Sequence, residues 1–140
     1  MDKSDRKPGL RAAVLLGVIY FVIGVAFSVF ASWPATSSMR ENWNRLAFLA
    51  SAIVFAVHIG YEHFRLRNSS LTTAWHVSIA VALGGFLLAL KANVHGYRVG
   101  SSNQRLLALA LVAWPVLTGV PAFVVALVAG AGLSLRQRKT

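Results

Sequence analysis

The chain runs from Ala12 to Ala31 without a charged residue, and again from Leu106 to Leu133. Twenty helical residues rise about 30 Å, the thickness of a bilayer's hydrocarbon layer. A soluble fold would have to bury these runs in a core larger than 140 residues can enclose. A bilayer removes that demand. Two further apolar stretches, Leu46–Phe64 and Leu71–Asn93, lie between them and carry only a few ionisable side chains. The charged fraction is 13%, about half that of an ordinary soluble domain, which favours the membrane reading. The expected fold class is all-α: a polytopic membrane protein, residues 1–140 forming a single transmembrane domain. Four helices, at about 12–31, 39–65, 71–95 and 105–134, make an antiparallel bundle. Pro115 and Pro121 are expected to kink the fourth helix, because each lacks an N–H and frees a carbonyl four residues back, at Leu111 and Leu117.

Local signals set the boundaries. Met1 to Arg11 reads as a polar arm, too short and charged to fold alone. Val29-Phe30-Ala31 could pass for a signal-peptide cleavage site. The apolar run before it is longer than a signal core of 7–15 residues, so it is read as a span. Trp33 and Trp43 bracket the first loop, as in an interfacial aromatic belt. Ser38-Met39-Arg40-Glu41 fits a capping box for the second helix. Gly96 is a plausible stop for the third, and Asn103 a cap for the fourth.

Fourteen Lys and Arg stand against four Asp and Glu. In a soluble protein this would suggest nucleic acid. Here the basic residues sit at the ends of apolar runs, and no stripe interleaves them with aromatics, so no nucleic-acid partner is expected. The N-terminal arm, the loop with Arg65 and Arg67, and the tail together carry nine basic residues, against five on the other side. The positive-inside rule then puts both termini in the cytoplasm, in a cell membrane read as the bacterial inner membrane. The chain has no cysteine, which excludes disulfides, thiolate metal sites and thiol catalysis.

The hairpin from Leu46 to Lys91 holds nearly all the ionisable groups within apolar sequence. His58 lies nine residues before Arg67 and His76 nine after, so antiparallel helices bring them to one depth. Glu62 is one turn from His58, and Tyr61 is beside it. The candidate polar cluster is therefore His58, Tyr61, Glu62 and His76, with Thr72 and Thr73 in the same layer and Arg65 in i,i+3 reach of Glu62. Ionisable groups inside a membrane are costly and point to function by default; hydrogen-bonded helix glue is the competing reading.

Small residues mark the expected packing faces. Ala13, Gly17, Tyr20, Gly24 and Ser28 share a face of helix 1. Ala52, Ala56 and Gly60 share one on helix 2. Helix 3 offers Ala74, Ser78, Gly85 and Ala89, with Gly84 on the stripe above His76. Such faces let helix backbones approach closely in lipid. The hairpin could join by its histidine faces or by its small faces, and spacing does not choose.

Three chemistries could use the cluster. Proton or cation movement suits histidine, which titrates near neutrality. It would want a continuous polar path, and Ala80, Gly84 and Leu87 make the stripe above His76 dry. Haem or chlorophyll ligation by the His pair is a second option, so the cofactor is unknown. Intramembrane metal hydrolysis is the weakest. Two histidines are thin for zinc, no metal site is expected, and His58, Glu62 and His63 do not have the His-Glu-x-x-His spacing. The leading expectation is a non-enzymatic accessory or assembly subunit. Its partners are the lipid bilayer and a homo-oligomer or larger membrane complex.

Overall fold

The structure, a computed structural model, describes residues 6–33, 36–100 and 102–137. Helix α1 spans Arg6–Ser32, α2 Ser37–Gly60, α3 Ser70–Arg98 and α4 Gln104–Gln137, and a π-helical turn, Tyr61–Arg65, extends α2. All four are long and apolar enough to cross a membrane. The protein is a small integral membrane protein built as a four-helix bundle.

Helix α3 is the central element. It packs most extensively on α4 and next on α1, while α2 lies mainly against α1. The neighbours along α3 give the directions. Gly17 of α1 lies against Ala80 and Leu83, and Gly24 against Leu88, so α1 and α3 run parallel. Gly130 of α4 lies against Ser70, Gly119 against Ser78 and Ala82, and Gly85 against Thr118 and Trp114, so α4 runs back along α3. Helix α2 meets the end of α1 through Phe30 and Trp43, whose rings stack with centroids 5.2 Å apart.

The helices tie most firmly at the Glu62 end. Ile59, Ala74, Val77 and Ala126 form a buried cluster joining α2, α3 and α4. One layer further in, Ala13, Tyr20 and Ala80 form a second cluster, with Leu16, Val54, Phe55 and Val81 packed on it. Most large apolar side chains elsewhere are exposed, as bilayer-facing residues of a small bundle must be. Between α3 and α4 the polar groups are spent locally. The Ser78 hydroxyl donates to the Gly119 carbonyl at 2.8 Å, and the Asn93 amide donates to the carbonyls of Ala89 and Leu107.

Several boundaries differ from expectation. Arg6 to Arg11 belong to α1 and are not a separate arm. Arginine and lysine are good helix formers, and Pro8 falls in the first turn, where its missing donor costs nothing. The expected charges at Lys3, Arg138 and Lys139 lie outside the described residues. Helix α2 begins at Ser37 with Thr36 as its N-cap, and the capping box does not form. Glu41 instead pairs with Arg45 one turn on, at 2.6 Å. Gly96 does not stop α3, which runs on to Arg98, with Gly100 two residues beyond it at φ 64°. Helix α4 passes through Pro115 and Pro121 as one continuous element.

Helix α3 begins with a side-chain cap. The Ser69 Oγ accepts from the Thr72 N–H at 3.2 Å. Ser69→Ala should cost about 1 kcal/mol, while Ser69→Asp keeps the acceptor and should be close to neutral. Detergent unfolding followed by tryptophan fluorescence reads the difference, and equal losses in the two variants would contradict a capping role.

Candidate functional site

The site lies where α2 ends and α3 begins. Gly60 leads into a turn wider than an α turn, with the Leu66 N–H donating to the Tyr61 carbonyl at 3.2 Å. A π turn holds one extra residue and shifts the phase of the residues after it. Here it brings Glu62 and His63, neighbours in sequence, both to the buried side. Arg67 then takes the left-handed conformation, φ 51°, which few residues other than glycine adopt. That bend turns Asn68 back onto the helix end. The Asn68 N–H donates to the Glu62 carbonyl at 3.1 Å, and the Asn68 amide group donates to the Glu62 carboxylate.

Glu62 is the hub. Its side chain has no solvent exposure, yet three groups converge on it. His76 Nδ1 lies 3.1 and 3.0 Å from the two carboxylate oxygens. His58 Nε2 lies 3.7 Å from Oε1, close enough for an ionic contact but too far for a hydrogen bond. Asn68 supplies the third. Helix α1 closes the cluster from the far side. Gly9 passes so near that a Cβ there would fall about 2.7 Å from His76 Nδ1. A buried carboxylate is tolerated only with such partners. The arrangement can hold one proton among a carboxylate and two imidazoles, or clamp three chain segments together.

Among the described residues, several buried polar atoms have no hydrogen-bond partner. They are both ring nitrogens of His58 and of His63, and the hydroxyls of Tyr20 and Thr73. Such atoms are uncommon in folded proteins, and each one asks for an explanation.

The structure brings together three of the four residues expected in the cluster. His58, Glu62 and His76 meet. Tyr61 does not join them; it is 45% exposed, because the π turn carries it to the outer side. Arg65 is exposed and makes no pair with Glu62. Asn68 and Gly9 belong to the cluster, and sequence reasoning misses both. Asn68 reads as a turn residue, and its only signal is an amide within reach of a carboxylate. Gly9 sits in a segment that reads as an arm. His63 is also buried, at 8% exposure.

The packing faces divide in the same way. Gly17 and Gly84 lie at the α1–α3 crossing, where a Cβ on Gly84 would come within 2.7 Å of Tyr20 Cβ and 3.3 Å of the Gly17 carbonyl. Gly24 rests against the tip of Leu88, and Gly85 against Thr118 and Trp114 of α4. Ser28 is exposed; its hydroxyl donates to the Val25 carbonyl and lies 3.4 Å from Lys91 Nζ, beyond the end of the seam. Ala52 and Ala56 face outward, and nothing lies within 4 Å of a Cβ placed on Gly60. The small face of α3 meets α4, and its His76 side meets α2 and α1. The hairpin thus joins by its histidine faces, and the small face of α2 is left free.

His58 is wholly buried, and Nδ1 of His76 lies against the Glu62 carboxylate. Among the described residues no group of three or more His, Cys, Asp or Glu is placed to hold a metal ion. Comparison of the chain with known protein families, with curated proteins and with solved structures gives no match.

Proposed function

We propose that the protein is a non-enzymatic assembly subunit of a bacterial inner membrane, with both termini in the cytoplasm and α2 as the helix that meets its partner. One observation carries this reading. The Ala52, Ala56 and Gly60 face is the one small-residue face of the hairpin that this chain does not use itself. In lipid, a helix gains from burying such a face against another helix. The Glu62 cluster would then hold α2 in position. It is closed off toward the membrane centre by Ala13, Tyr20, Ala80 and the side chains packed on them, an apolar layer unsuited to conduction.

A proton-linked role is the second reading, favoured by the carboxylate set between two imidazoles.

The native chain lacks cysteine, so single cysteines report without background. Ala56→Cys and Gly60→Cys should cross-link in native membranes, to a second copy or to a larger partner. Val124→Cys, on an exposed part of α4, should not. Cysteines replacing Ser69 and Ser37 should be labelled by an impermeant maleimide from opposite sides. If the α2 positions cross-link no better than Val124→Cys, the assembly reading fails. If Glu62-dependent proton flux then appears in dye-loaded liposomes, the second reading takes its place.

A further inference from the structure

We infer that the cleft beside the π turn is a binding site for the phosphate of an anionic glycerophospholipid. The cleft has a volume of about 580 Å³ and is lined by His63, Phe64, Arg67, Asn68 and Ser134. It lies at the end of the α2 and α3 spans, at the level where lipid headgroups sit.

Each wall has a chemical meaning. The imidazole of His63 is nine-tenths buried, and neither of its nitrogens has a hydrogen-bond partner among the described residues. Burying such a ring is costly unless something else completes it. Arg67 is exposed and held at φ 51°, a conformation that costs an arginine energy and persists only when its surroundings impose it. Its guanidinium can present two donors to a phosphate. The Ser134 hydroxyl donates to the Gly130 carbonyl and lies 3.3 Å from the Ser70 hydroxyl, so it closes the wall of the cleft without serving the anion. Phe64 is 60% exposed, an apolar surface beside the polar wall where an acyl chain can lie.

The nearby carboxylate does not repel an anion here. Glu62 has no exposure and is covered by the Asn68 amide, so its charge is spent inside the cluster. The long-range field is favourable. Arg65 adjoins the cleft in sequence, and Arg67 lines it. Basic residues near a membrane surface draw anionic lipid toward it, and a guanidinium lining the cleft is worth a factor of about five in affinity. The recognised group is a phosphoester, which a soluble phosphate also carries. Phe64 and the position at the membrane surface favour the lipid.

The test uses the full chain in neutral detergent and native mass spectrometry. Phosphatidylglycerol should be retained, and phosphatidylcholine displaced under the same conditions. Arg67→Asn removes the charge while keeping a residue that tolerates the left-handed backbone, and should lower retention about fivefold. His63→Gln should lower it as well, and Arg65→Gln should leave it within a factor of about two, since Arg65 does not line the cleft. An equal loss in Arg65→Gln and Arg67→Asn would reduce the effect to general surface charge and overturn the site. Retention of phosphatidylcholine as strongly as phosphatidylglycerol would do the same. Inorganic phosphate that binds alone and displaces the lipid would overturn the lipid assignment in favour of a soluble phosphate.

Discussion

Glu62→Leu should cost about 3 kcal/mol of stability, more than any other single change at the site. The cost comes from the groups that stay behind. A single hydrogen bond between helices in a bilayer is worth about 0.6 kcal/mol and at most about 1.7. Glu62 is not one bond. Its carboxylate is the shared partner of His76, Asn68 and His58. Removing it leaves three polar groups in a buried layer with nothing to face, and those unpaired groups set the size of the loss. Taking away one histidine leaves the carboxylate with two partners, so His76→Leu should cost well under half as much. The triple change of His58, Glu62 and His76 to leucine should recover much of the loss, because the polar groups leave together. Detergent-induced unfolding of the purified chain gives these numbers. A triple variant as unstable as Glu62→Leu would show that packing volume, and not the polar network, controls the site. A triple variant that folds but no longer cross-links through α2 would tie the cluster to assembly.

Gly84→Ala should cost about 2 kcal/mol, a large effect for one methyl group. The new carbon would meet Tyr20 Cβ and the Gly17 carbonyl, atoms fixed to the α1 backbone. Neither can turn aside, so the two helices must separate along their crossing. Gly24→Ala meets only the tip of Leu88, which has other rotamers, and should cost less than half as much. Gly60→Ala meets nothing and should be neutral in an isolated subunit, or slightly stabilising through helix propensity. The order Gly84, Gly24, Gly60 is the expected result in thermal unfolding. Equal losses at Gly84 and Gly60 would mean that α1 and α3 do not cross at glycine.

How much of this is legible in the amino-acid sequence depends on the kind of information involved. The four spans are written in the absence of charge, which the cost of burying charge in lipid enforces residue by residue. The α1 face is legible too, because Ala13, Gly17 and Tyr20 repeat at the α-helical period and all end up buried against α3. Period says which residues share a face, but not which way that face points. Ala52, Ala56 and Gly60 do share a face, and it points outward. The cluster is legible as far as the α repeat holds, from His58 to Glu62, and as far as equal depth can place His76. The reading fails at Tyr61 and Asn68 because both depend on backbone that breaks the repeat. The π turn shifts the phase at Tyr61, and the left-handed Arg67 returns Asn68 to the hub. Neither has a signature that helix propensity would register.

The central place of α3 also bears on how the protein is made. Synthesis proceeds from the N-terminus, so α1 and α2 enter the membrane before the helix that both need. Glu62 arrives with His58 already in place, but His76 comes 14 residues later. Until then the nascent chain carries a carboxylate whose main partner does not yet exist. The contact between Ser70 and Ser134 spans 64 positions and waits for almost the whole chain. The bundle therefore cannot close helix by helix. A chain cut short after α2 lacks the His76 contact to Glu62, an unfinished state distinct from the completed one.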